Sequence, residues 1–376
     1  MGTPVKRIVI SGYYGFNNSG DEAVLQSILL ALQEQGERQG VNFHPVVLSV
    51  NPEETSRTYG VESVHRLRPL ELWRAIRGAD GLISGGGSLL QDETSPKTIP
   101  YYIGVIRLAQ LLRKPVFIYS QGIGPVHRPM FFGWIRSAFR RCELITVRDE
   151  ESKALLLRMG IEEGRVEVVP DPVMGMPLKS AARHGGTVGS EAGAVIGVSV
   201  RFWNKDRSEL DAAAEALKKA LDETGAAIRF LPFHLPSDEE ASEYVAQRLG
   251  ETYKHRISFA RGVTHPQDML AEAASVSVLL GMRLHSLIYA AGRQVPMVGI
   301  SYDPKIDQFL NRLSMKAASN TREPSGAAIA GELIRLLNDR EGWRQDKRQA
   351  IERLKKDAHR PAERIAAYFA KNRRTK

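Results

Sequence analysis

The sequence predicts an α/β chain built from two tandem, doubly wound Rossmann-like domains that face each other across a cleft. Three observations lead there. Short apolar, β-branched runs alternate with amphipathic stretches, as βαβ units on parallel sheets require. The alternation runs twice, broken once by DPVMGMPLKSAARHGGTVGSEAG, a segment rich in Gly, Pro and Ser without any period. The 376 residues suffice for two or three domains of ordinary size.

In the first half, strands are expected at residues 7–11, 46–50, 81–84, 116–120, 144–147 and 166–169. Amphipathic helices fit between them. In the first, residues 22–35, Val24, Leu25, Ile28, Leu29 and Leu32 share a face and Gly36 marks the end. A second strand series follows at 195–200, 228–232, 256–259, 276–280 and 297–300. The expected division is a domain over 1–175, a linker at about 171–193 and a second domain over 194–340. A charged helical segment with a basic tail, 341–376, ends the chain. In such tandem sheets ligands gather at the carboxyl ends of the strands.

Composition narrows the partners. With 43% hydrophobic and 25% charged residues the chain is an ordinary globular one. No signal-peptide pattern and no apolar run of membrane-spanning length occurs, and the lone Cys142 points to a reducing, cytoplasmic setting. The net charge of +9 favours anionic lipid, nucleic acid or a small polyanion. Dispersed bases and the lack of a reader motif argue against nucleic acid. Neither HEXXH nor a Cys/His cluster is present, so no metal site is expected.

Three first-half strands run into glycine-rich turns, SGYYGFNNSGDE, SGGGSLLQD and YSQGIGP. Glycine there serves a tight turn or lets a ligand approach main-chain N–H groups. Gly15-x4-Gly20 has the frame of a phosphate-binding P-loop, but Asp21 and Glu22 stand where Lys and Ser or Thr belong. Carboxylates at a helix N-terminus displace a phosphate. Asp21 either caps its helix or accepts a proton from a sugar hydroxyl. Further on, TVRDEES sets Arg148 at a strand end, either as an anion clamp or as the partner of Asp149 or Glu151.

In the second half, VLLGMRLHSLIYAAG ends a strand at Leu280, turns at Gly281 and enters a helix running to about Ala291. Arg283 and His285 diverge by roughly 200° on a regular helix, so they converge only if the turn is still irregular at Arg283. Arg201, His234, Tyr302 and Lys305 also fall at strand ends. Together they make a cationic second-domain rim suited to a small polyanion, opposite an acidic, glycine-rich first-domain rim.

In this order GFNNSGDEAVL, GGGSLLQD, QGIGP, TVRDEES, GMRLHSLIYA and SYDPKID resemble the polysaccharide pyruvyl transferases, among them the bacterial CsaB type that modifies secondary cell-wall polymers. The resemblance runs from Arg7 to about Leu310. It implies a GT-B-like fold and phosphoenolpyruvate as donor, with no cofactor. The acceptor it implies is a lipid-diphosphate-linked disaccharide whose N-acetylmannosamine receives a 4,6-linked pyruvyl ketal. It assigns Arg283, Leu284, His285 and Arg148 to the donor; Arg201 and Lys305 join them on position and charge. His285 is then the donor-side acid or phosphate ligand. Asp21, with Asp92 as substitute, is the acceptor-side base. Gly15, Asn17, Asp21, Gly86, Gly87 and Gln121 are expected to bind the acceptor.

Two rivals remain. A nucleotide-sugar glycosyltransferase of this fold would want a ribose-fixing carboxylate after the second-domain turn, yet residues 281–302 hold no Asp or Glu. A non-catalytic anion-binding module would have no use for an acceptor-side base. A lipid-linked acceptor also implies weak contact with the inner face of the cytoplasmic membrane. PMFFGWIRSAFRR, with Phe131, Phe132, Trp134, Ile135 and Phe139 beside three arginines, reads either as an interfacial helix or as a core helix.

Overall fold

Two all-parallel sheets organise the computed structural model, which describes residues 5–16, 18–93, 95–179 and 193–372. One unit comprises Met1–Met176 and Leu354–Lys376, the other Pro177–Arg353. Unit 1 contains β1 (Val5–Tyr14), α1 (Ser19–Gln39), β2 (Asn42–Ser49), α2 (Pro52–Tyr59), β3 (Glu62–His65), α3 (Pro69–Arg77) and β4 (Gly81–Gly85). It continues with α4 (Thr98–Leu111), β5 (Val116–Gln121), α5 (Met130–Phe139), β6 (Leu144–Val147), α6 (Glu150–Arg158) and β7 (Val166–Val168). Unit 2 contains β8 (Val195–Ser199), α7 (Ser208–Thr224), β9 (Ala227–Phe230), α8 (Ser237–Leu249), β10 (Ile257–Phe259), α9 (Pro266–Ser275) and β11 (Val278–Gly281). Its remainder is α10 (Leu284–Gly292), β12 (Met297–Ser301), α11 (Pro304–Arg312), β13 (Ser319–Asn320) and α12 (Gly326–Asn338). The chain ends in α13 (Arg340–Ala358) and α14 (Arg360–Lys371).

The two sheets share a plan. Unit 1 orders its strands β3-β2-β1-β4-β5-β6-β7 and unit 2 orders its own β10-β9-β8-β11-β12-β13. In each, the order reverses beside the first strand, between β1 and β4 and between β8 and β11. Neighbouring loops there diverge and open a crevice at the carboxyl ends. Register carries the pairing to that rim: Ser11 lies opposite Ser84, and Ser199 opposite Gly281. Ile8, Val9 and Ile10 are fully buried, as a strand covered by helices on both faces must be.

On one face of sheet 1, helices α3 to α6 pour their apolar sides into a single core with the strands. On the other, α14 lies against α1 and seats Ile365, Ala366 and Phe369 in the interior, the Phe369 ring tilted against Phe117 at 5.8 Å. The last helices are therefore not a separate segment as expected: most of α13 counts with unit 2, while α14 completes unit 1. A hydrophobic face on α14 with no charged interruption explains why it docks.

Three further readings are corrected. Helix α1 runs through Gly36 to Gln39 and is closed by Gly40 in the left-handed region. Gly36 is small because a side chain there would meet the Val41 carbonyl at 2.5 Å. Residues 171–176, expected in the linker, belong to unit 1: Val173, Met174 and Met176 are buried, and a short 3-10 turn covers Pro172–Gly175. Linker residues 180–192 lie outside the described residues. Strands β3 and β13 escaped the sequence reading, being short edge strands with little apolar content. Among the described residues no helix is long and apolar enough to cross a membrane.

Since Phe369 is the buried plug of that late-arriving helix, Phe369→Ala should lower the unfolding free energy by about 3–5 kcal/mol in a urea titration. Leu111→Ala, at a side chain 79% exposed, should change it by less than about 0.5 kcal/mol.

Candidate functional site

The carboxyl rim of sheet 1 begins where β1 turns into α1. Asn18, not Asp21, caps the helix, its side chain accepting from the Gly20 N–H at 3.1 Å. Glu22 turns back on the loop: its carboxylate accepts from the Gly15 N–H at 2.8 Å and from the Tyr59 hydroxyl at 2.6 Å. Gly15 adopts φ +82, and any side chain there would collide with Ser49. Burial raises the Glu22 pKa, and its two hydrogen bonds pull the other way. The P-loop-like frame thus encloses its own carboxylate, and the Gly15 N–H is already spoken for.

Asp21 is left without such a task. It is half-buried, and among the described residues it has neither a hydrogen-bond nor an ion-pair partner. It sits on the turn after β4, where Gly86 and Gly87 hold φ near +65 and a side chain on Gly87 would stand 2.8 Å from its carboxylate. Burial pushes the Asp21 carboxyl up to about 7; Arg148 draws it down, while Glu22 and Asp171 push it further up.

Arg148 occupies the same rim and is 8% exposed. It donates to the Ser88 hydroxyl at 2.8 Å and lies 3.5 Å from both Asp149 and Asp171. Gly122 passes beneath it so closely that a Cβ would approach its Nε to 3.0 Å. Of the two readings posed by the sequence, the ion pair with Asp149 is the one seen, joined by Asp171: the arginine is oriented by carboxylates and stands beside Asp21.

Two expected residues are engaged elsewhere. Gln121 is fully buried, accepts from Ser84 at 3.3 Å and presents no surface to an acceptor. Asp92 binds the backbone N–H groups of His127 and Arg128 at 2.7 and 2.9 Å, so its carboxylate fastens the loop after β5. Burial acts to raise its pKa, yet those hydrogen bonds hold it below the usual carboxylate value. Asn17 lies outside the described residues.

Sequence reasoning overlooked an aromatic pile on this rim. Tyr13 and Phe16, both exposed, stack with centroids 3.9 Å apart and planes within 2°. Beside them, buried Arg66 lies 5.5 Å from the Phe16 ring and 4.3 Å from Tyr101, and donates to the Gly12 carbonyl. The YYGF string at the end of an apolar run was the visible signal.

The carboxyl rim of sheet 2 is cationic. Arg283 is the residue before α10, with extended φ −80 and ψ 128, so the turn is irregular at the position that convergence with His285 requires. The N-cap residue Arg283 makes no side-chain capping bond to α10, whose N-terminus carries the positive end of the helix dipole. The Arg283 guanidinium grips Asp238 with two N–H groups, Nε at 2.9 Å and Nη2 closer still. Asp238 is 0% exposed and also accepts from the N–H groups of Phe233 and His234. Here too the sequence reading fell short: the acid in HLPSDEE, at the start of α8, was not connected with an arginine 45 residues later.

Arg201 follows β8 and is braced by aromatics. Its guanidinium lies 4.8 Å from the Tyr302 ring and 5.3 Å from Trp203, and it donates to the Tyr302 hydroxyl at 3.0 Å. No carboxylate pairs with it among the described residues, and its Nε is buried without a partner. Buried Glu209 holds the loop by accepting from the Trp203 N–H. Lys305 opens α11 after β12, its N–H bound by the cap Asp303. Arg201, Arg283, Leu284, His285 and Lys305 therefore share one rim around the α10 N-terminus. Among the described residues no group of three or more His, Cys, Asp and Glu is arranged to hold a metal.

A family model described as polysaccharide pyruvyl transferase matches residues 18–304. No curated protein matches the chain in sequence. Among solved structures the chain resembles UDP-GlcNAc 2-epimerase from Methanocaldococcus jannaschii, at 14% identity and TM-score 0.67, covering 97% of this chain and 99% of that one. It also resembles Anabaena Alr3699/HepE in complex with UDP and glucose, at 12% and 0.63, covering 97% and 100%. The Neisseria meningitidis UDP-GlcNAc 2-epimerase bound to UDP-GlcNAc matches at 11% and 0.62, covering 97% and 100%. At such identities the likeness shows the fold, a GT-B-type pair of Rossmann-like units, and nothing about ligand. The family match takes in the Asp21 loop, the Arg148 turn and the Arg283–His285 turn, and the chain belongs to the polysaccharide pyruvyl transferase family.

Proposed function

We propose that this chain moves the pyruvyl group of phosphoenolpyruvate onto two hydroxyls of one sugar in a lipid-diphosphate-linked cell-wall precursor. The product is a 4,6-ketal on N-acetylmannosamine, and phosphate is released. The observation that carries the reading is Asp21: a carboxylate at a switch-point rim, unused by the fold, with a pKa of about 7. An anion-binding module would have no need of it.

Phosphoenolpyruvate concentrates nearly three negative charges on a few atoms, and the sheet 2 rim answers with Arg201, Arg283, Lys305 and the N-terminal end of α10. Protonation at C3 makes C2 electrophilic; one sugar hydroxyl adds there and the C2–O bond to phosphate breaks. The second hydroxyl then adds to C2 and closes the ring. Of the two hydroxyl protons, one balances the proton gained at C3 and the other leaves with phosphate. Asp21 accepts the hydroxyl proton; His285 donates to C3 or holds the phosphate. Arg148 adds positive charge for the donor and tunes Asp21. The Tyr13–Phe16 stack offers the acceptor sugar an aromatic surface.

The UDP-binding neighbours suggest a nucleotide sugar as donor instead. Against it, residues 281–302 contain no carboxylate for a ribose, and Asp238 nearby is committed to Arg283. The deciding experiment supplies phosphoenolpyruvate with a synthetic lipid-diphosphate disaccharide and follows both phosphate and product mass. Acceptor-dependent phosphate with the mass of one pyruvyl ketal is expected; consumption of a UDP-sugar with no phosphate would overturn the reading.

With Asp21 as base, kcat/KM should fall about tenfold per pH unit below pH about 7. Asp21→Asn should cost roughly 10²–10⁴ in kcat. The same substitution should stabilise the fold. Asp21 binds its proton more tightly when folded, with a pKa of about 7 against 3.8 for the ordinary group. Its contribution to stability therefore declines as pH rises through that window. Asn should raise the melting temperature at pH 8, and the gain should shrink towards pH 4. Removing the cation in Arg148→Ala should move the acidic limb of the wild-type profile to higher pH. Arg283→Lys, which forfeits the two-pronged grip, should raise KM for phosphoenolpyruvate by about tenfold.

A further inference from the structure

An ordinary surface helix presents charge to water. Helix α4 does not: TIPYYIGVIRLAQL contains a single charged residue, and its exposed positions include Gly104 and Leu111. Its neighbours in the same layer behave alike. Of the ten large apolar side chains left exposed in the described structure, six belong to this α3–α4–α5 face: Leu67, Leu70, Trp73, Leu111, Met130 and Trp134. Leu111 is 79% and Trp134 44% exposed, so these are protrusions and not grazing contacts. The helix α5 residues that the sequence suggested for a membrane face are in part core: Phe131 is 4% exposed, and Ile135 and Phe139 are fully buried. Met130 and Trp134, one turn apart, are the ones that project.

On the α4–α5 part of this face the charge has one sign, while the only acid that α3 adds is Glu71, paired with Arg68 at 2.9 Å. Between Glu93 and Glu143 the chain carries eight Lys or Arg and no acid. Arg113, Arg128, Arg140 and Arg141 are exposed and have no ion-pair partner among the described residues. Trp73 carries the guanidinium of Arg77 at 4.9 Å.

We infer that the α3–α4–α5 face of unit 1 docks on an anionic lipid bilayer. Its apolar groups are spread over three helices and the turn before α3 instead of being confined to one element. Tryptophan, leucine and methionine interspersed with unneutralised arginine suit the boundary between headgroups and acyl chains. The inference rests on this surface and does not depend on the donor chemistry.

The test floats the full-length chain with vesicles of phosphatidylcholine alone and of equal parts phosphatidylcholine and phosphatidylglycerol. Binding only to the mixed vesicles is expected, weakening as salt is added. The Leu111→Glu, Trp134→Glu double variant should lose at least about tenfold in binding. The Arg113→Gln, Arg140→Gln, Arg141→Gln triple variant should lose roughly a hundredfold, at about 1 kcal/mol per cation. Melting temperature, not turnover, reports that each variant is folded, so the result stands whatever the reaction proves to be. Absence of wild-type binding, unchanged binding by both variants, or loss only on deleting residues 373–376 would overturn the inference. So would a wild-type dimer that Trp134→Glu converts to monomer, since a second copy would then cover this face.

Discussion

The hydrogen bonds from the Gly15 N–H and the Tyr59 hydroxyl to Glu22 set the character of the whole first rim. In a phosphate-binding loop that N–H would greet a ligand. Here a side chain of the same helix fills the place, so the loop is closed, keeps its left-handed turn and repels further anions. Asn18 takes the cap, Glu22 takes the loop, and Asp21 between them is released from any structural duty. The general base of the proposed reaction is thus a by-product of how its neighbours are employed.

The second rim solves the opposite problem. Positive charges packed together would scatter, and each is held by a different device. Asp238 binds Arg283 with backbone help, while the adjoining rings of Tyr302 and Trp203 brace Arg201 without neutralising it. The difference matters electrostatically. Arg283 spends part of its charge on a buried carboxylate and gains orientation; Arg201 keeps its charge.

Much of this was legible in the sequence, for identifiable reasons. Strands buried on both faces, such as Ile8 to Ile10, read clearly because parallel sheets demand continuous apolar runs. The turn at Gly281 and the helix after it were placed to within a few residues. What failed was whatever depends on distant pairing. Gln121 sat in a promising loop, but its neighbour strand contributes Ser84, which draws it inward. Asp92 was attractive as a base until the N–H groups of His127 and Arg128, 35 and 36 residues away, claimed it. Asp238 was invisible as a partner for the same reason. Edge strands β3 and β13 were missed because half-exposed, short segments carry little hydrophobic signal.

The placement of α14 has a consequence for synthesis on the ribosome. Phe117 and Phe43 belong to the first half of the chain, yet Phe369, which covers them, is translated after all of unit 2. At roughly 5–20 residues per second, that interval leaves a greasy sheet face waiting for ten seconds or more. A nascent chain of this kind would need a holding chaperone, or a transient non-native cover, until α14 emerges.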